Sequence, residues 1–212
     1  ETGGCTDIMM HTMERYFNMS ENMELTDGIS EALIKTVMKH SKILKEHPDC
    51  YESRAEVMWA SSLSHNDLTG CGTDGGDWAC HQLEHEIGGM FDVAHGAGLA
   101  AVWGSWARYV YKARPERFAK FARNIFNIQE TDDEKAAVAG IEAMENYYQS
   151  VGMPTSLCEL GIHATEEQIK EMADKCSFYG KRTVGVMKKI GAPEAAEIYR
   201  MANDKSIPLY SR

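Results

Sequence analysis

The sequence predicts an all-α fold, a multi-helix bundle-like domain, on three observations. Apolar residues recur at helical spacing almost everywhere, strict alternation is hard to find, and a capping box and a Gly-Met-Pro stop punctuate the periodic runs. The chain has 212 residues with 43% hydrophobic content, enough to bury a substantial core without disulfides. With no internal repeat and no low-complexity tract, residues 1–212 are expected to form one helical domain.

The first helix is expected at about 4–18 and the second at about 27–46, where Leu33, Ile34, Val37 and Met38 form a stripe with Lys35 and Lys39 turned away. Further runs place helices at about 50–65, 77–89, 94–112, 114–126 and 132–151. The most apolar stretch, Ala97 to Val110, is shorter than the roughly 20 residues of a membrane span and contains Arg108. It reads as a buried helix. Gly152-Met153-Pro154 ends the seventh helix, and Pro154 to Ala164 is a connector. Thr165 with Gln168 is a capping box that opens a helix at about 165–177, and the last helix is expected at about 192–203.

A formal net charge of -10 without a basic patch argues against nucleic acid and anionic membrane surfaces as partners. The six cysteines are scattered and form no C-x-x-C pair, which fits reduced thiols in a cytoplasm. The start, Glu1-Thr2-Gly3-Gly4, lacks both an initiator Met and the features of a signal peptide, and helix-like sequence follows at once. A preceding segment is therefore expected to have been removed.

Two groups of residues carry the chemistry. Asp7 and His11, four apart, lie on one helical face and can share an ion, although the same spacing also serves a surface hydrogen bond. His81, His85 and His95 fall within fifteen residues of a chain with eight histidines. A continuous helix would hold His81 and His95 about 21 Å apart, so a common ion requires the chain to turn, with Gly88, Gly89 and the Asp92 region as the place for it. The alternative is ordinary hydrogen-bonded histidines. Aspartate with imidazoles suits Fe(II) or Zn(II) better than Ca or Mg. Cys80 points about 100° away from His81 on a helix and reads as a packed thiol. Gly70-Cys71-Gly72-Thr73-Asp74-Gly75 matches G-x-G-x-x-G, but no strand precedes it, so it reads as a glycine-rich loop rather than a dinucleotide fingerprint.

The segments Cys5 to Glu14, with Asp7 and His11, and Gly76 to Gly98, with His81, His85 and His95, resemble in order and spacing the two metal-site signatures of the iron-containing alcohol dehydrogenases, particularly the butanol dehydrogenase branch. The resemblance implies the family's dehydroquinate synthase-like helical domain, with Asp7, His11, His81 and His95 ligating one divalent metal, Fe(II) or Zn(II). It implies His85 as a catalytic neighbour of substrate and nicotinamide, suited to relaying the hydroxyl proton. The implied reaction is reversible hydride transfer between a primary alcohol or aldehyde and NAD or NADP, with the metal as Lewis acid. A homodimer is compatible with it. Family members begin with a nucleotide-binding α/β domain, and nothing in this sequence corresponds to that domain, so the chain alone is expected to be inactive. Two other readings stand beside this one: a metal-binding helical module without turnover, and a helical metal-dependent hydrolase.

Overall fold

Apolar stripes spaced three and four residues apart fold into helices along most of the chain. The structure, a computed structural model, describes residues 2–204. These form α1 (Thr2–Tyr16), α2 (Glu24–Glu46), α3 (Tyr51–His65), α4 (Ala79–Phe91), α5 (His95–Val110), α6 (Pro115–Phe126), α7 (Asp133–Ser150), α8 (Glu166–Cys176) and α9 (Ala192–Asn203). Each expected helix is present, with ends displaced by at most three residues. Among the described residues no strand forms; a single antiparallel bridge joins Val184 to Ile190. The capping box at Thr165 and Gln168 is in place.

α5 is the central element. Its apolar side chains are buried on nearly every face, and it packs against α1, α4, α7 and α9. Only a helix surrounded by others can be apolar all round. Phe17, Trp103, Trp106, Phe118 and Phe121 interlock beside it, with Phe17 stacked on Phe118 at 4.4 Å between ring centres. Small residues let helices approach closely. A Cβ on Gly140 would lie 2.5 Å from that of Ala122, and one on Gly96 would lie 2.1 Å from the Gly3 carbonyl oxygen.

Two buried ion pairs tie helices together. Arg108 of α5 donates two hydrogen bonds to Glu145 of α7, at 2.8 and 2.7 Å, and Arg117 of α6 donates two to Asp27 of α2. Lys120 adds a third bond to Asp27 at 2.7 Å. Among the described residues, no helix is long and apolar enough to cross a membrane.

Candidate metal centre

α1 carries a polar stripe on an otherwise methionine-rich helix. Asp7, His11 and Glu14 follow one another at intervals of four and three, so they share one face. That face meets the start of α4 and the start of α5, where His81 and His95 lie. The turn between α4 and α5 is made by Asp92, in the left-handed conformation with φ 52°, and not by Gly88 and Gly89, which stay inside α4. The reversal removes the separation that a continuous helix would impose.

One atom gathers the expected ligands. Asp7 Oδ1 lies 3.5 Å from His11 Nε2, 3.5 Å from His81 Nε2 and 3.3 Å from His95 Nε2. Asp7 Oδ1 and His81 Nε2, which face each other there, are buried without a hydrogen-bond partner among the described residues, as is the other ring nitrogen of His11, Nδ1. Buried polar atoms without partners cost about 1–3 kcal/mol each, so their convergence marks a place built for another group. A carboxylate among imidazoles is a donor set that fits Fe(II) or Zn(II).

Two further carboxylates fix the imidazoles. Glu14 Oε2 is 2.9 Å from His81 Nδ1, while Glu14 Oε1 accepts a bond from the Cys80 backbone N–H at 2.9 Å. The Glu14 carboxylate thus caps α4 and orients His81 at the same time. Asp77 accepts from the Ala79 N–H in the same turn, and Gly76 brings the chain so close to α1 that a Cβ there would sit 2.5 Å from the Glu14 carbonyl oxygen. On the other side, Glu84 Oε2 is paired with His95 Nδ1. Gly98 leaves room for that carboxylate, because a Cβ would lie 2.6 Å from Glu84 Oε1. In both cases the carboxylate leaves Nε2 turned toward Asp7.

Electrostatics follow from this crowding. Burial opposes charge on Asp7, yet His81, His11 and His95 hold its carboxyl below the usual range. Burial and the neighbouring His81 pull His11 down to about 4. Burial works in the same sense on His81, but Asp7 and Glu14 outweigh it and push that imidazole up to about 9.

His85 is not among the donors around Asp7, although its donor atom and those of Glu84 and His95 lie within 4.8 Å of one another. It is exposed on α4, its ring 5.8 Å from that of His95 and 6.3 Å from that of His81, and burial together with those two imidazoles lowers its pKa. Cys80 is fully buried, and burial holds its thiol protonated. The glycine-rich motif from Gly70 to Gly75 follows α3 and a single helical turn, not a strand. Sequence reasoning overlooked Glu14, Glu84 and His65. Glu14 and Glu84 were detectable as carboxylates three residues after His11 and His81, on the face those histidines define. His65, at the end of α3, carries no local sign of its position beside His11, where the two rings are 4.0 Å apart.

The sequence model described as "Fe-containing alcohol dehydrogenase family, C-terminal" matches residues 2–202. NADH-dependent butanol dehydrogenase A of Clostridium acetobutylicum is 36% identical over 199 residues, covering 93% of this chain and 50% of that protein. The NADPH-dependent aldehyde reductase YqhD of Escherichia coli is 30% identical over 200 residues, covering 94% of this chain and 51% of that protein. Among solved structures, NADH-dependent butanol dehydrogenase A of Thermotoga maritima superposes with a TM-score of 0.88 at 35% identity, covering 95% of this chain and 52% of that one. The chain spans about half the length of the relatives it matches.

Proposed function

Because the chain belongs to the Fe-containing alcohol dehydrogenase family, through that family's C-terminal domain, we propose that it is the metal-carrying half of an NAD(P)-dependent alcohol or aldehyde oxidoreductase. The observation that carries this is the convergence of Asp7, His11, His81 and His95 on one point, with buried, unpartnered Asp7 and His81 atoms facing each other there. These four side chains are the proposed ligands. A divalent ion, Fe(II) or Zn(II), supplies Lewis-acid polarisation of the alcohol or aldehyde oxygen when bound.

The remaining work falls to the chain's own residues. Glu14 and Glu84 hold His81 and His95 with Nε2 toward Asp7, which fixes the direction of both rings before an ion arrives. His85 is the proton carrier: it is exposed and next to the cluster, and its lowered pKa leaves it neutral at pH 7, able to accept the proton of an alcohol at its ring nitrogen. The nicotinamide is assigned to a nucleotide-binding part that residues 1–212 do not contain, the substrate to the exposed side of His85 and His95. The setting proposed with this reading is the cytoplasm, where six scattered cysteines with no C-x-x-C pair would stay reduced.

A second reading is a metal-binding helical module that turns nothing over by itself, and it shares the same metal centre. Metal content per chain after anaerobic, chelator-free purification tests the shared premise. About one iron or zinc is expected, falling at least tenfold in His81→Ala; equal metal in both proteins overturns the ligand assignment.

A further inference from the structure

His65 is a fourth imidazole beside Asp7, outside the ligand set proposed above. Its Nε2 lies 3.7 Å from Asp7 Oδ2, the carboxylate oxygen other than the one approached by His11, His81 and His95. Its Nδ1 is 3.0 Å from the Ser61 carbonyl oxygen and 2.8 Å from Ser64 Oγ. Ser64 directs its own hydroxyl proton at the Ser61 carbonyl, so both oxygens act as acceptors toward Nδ1. The ring proton therefore sits on Nδ1, and the lone pair on Nε2 faces Asp7. An N–H bound to a backbone carbonyl behind a free nitrogen is the arrangement that metal-ligating histidines adopt.

The donor atoms of Asp7, His11 and His65 lie within 4.8 Å of one another, as do those of Asp7, His81 and His95. The two sets share only Asp7. Small side-chain rotations bring three such donors to the roughly 2.0–2.2 Å bonds of a zinc centre, and carboxylate-bridged ions about 3.5–4 Å apart are a stable arrangement in two-metal sites. Glu14 and Glu84, paired with His81 and His95, add negative charge that offsets a second dication.

We propose that His65 is a cation-ligating side chain, which forms with Asp7 and His11 a second, weaker divalent-metal position; filling it draws His11 away from the first ion, which keeps the bridging Asp7, His81 and His95. This rests on the metal-centre reading above. It extends the centre toward α3, on its exposed side.

Titration of the 212-residue chain with Co(II), followed by visible absorption, tests it, with circular dichroism to verify folding of each variant. Two steps are expected in the wild type, the second at least tenfold weaker than the first. His65→Ala and His65→Gln should lose the second step and keep the first, whereas His81→Ala should lose the first. A single step that is superimposable in wild type and His65→Ala, but lost in His81→Ala, overturns the role of His65 and leaves the metal centre standing. No Co(II) binding by the wild type, or an isotherm unchanged by His81→Ala, overturns both.

Discussion

Glu14 serves three polar groups with one carboxylate: the Cys80 N–H, the more distant His81 N–H, and the His81 ring. Together with Asp7 it keeps His81 protonated to about pH 9. An imidazole ligand must be neutral, so ion uptake below pH 9 expels that proton. Zn(II) affinity is therefore expected to rise about tenfold per pH unit from 7 to 9 and then level off. His11, pulled down to about 4, is already neutral there and adds no slope. Competition with a chromophoric chelator at pH 7, 8 and 9 measures this, and a flat profile contradicts it. The sign for the metal-free fold is opposite. A pKa raised from 6.5 to about 9 contributes stability that is complete below pH 6.5 and lost as pH rises through 9.

At the scale of elements, α5 sits in an apolar surround and still carries Arg108, because Gly104 makes space for the Glu145 carboxylate: a Cβ on Gly104 would lie 2.0 Å from Glu145 Oε1. Glu145→Ala leaves the guanidinium buried without its partner and is expected to destabilise the fold by about 3–5 kcal/mol. Replacing Arg108 by Met together with Glu145 by Leu should restore most of that loss. Urea denaturation of the three proteins checks both outcomes; a cost below about 1 kcal/mol for Glu145→Ala would mean that water reaches the pair. The helices themselves were legible because their apolar stripes have the right period, as in Leu33, Ile34 and Val37 on α2. The meeting of Asp7, His11, His81 and His95 at one point was legible through helical spacing and two separated signatures. Glu14 and Glu84 left a weaker signal, a carboxylate three residues after a histidine, overlooked because a glutamate in a helix reads as a solvated face until its partner is known. The turn was expected at Gly88, Gly89 and the Asp92 region, and of these Asp92 makes it while the glycines stay helical.

Across the whole molecule, the centre joins α1, the end of α3, α4 and the start of α5, so an ion held there binds the folded chain and not the unfolded one. At free Zn(II) about 100 times the dissociation constant, the stabilisation is about 2.7 kcal/mol, a rise in Tm of about 5–10 °C for a chain of this size. Adding a chelator during calorimetry should reverse that rise; an unchanged Tm would place the ion outside the fold's cooperative unit. The union of α1 with α4 and α5 also orders events in time. Neighbouring pairs such as α6 with α7 and α8 with α9 close short loops, but Asp7 and His95 meet only after 88 residues have been brought round. During synthesis, the first two proposed ligands emerge long before the last two exist. An ion therefore fastens a nearly finished structure: it scarcely speeds folding, and it lengthens the lifetime of the folded chain by slowing its unfolding.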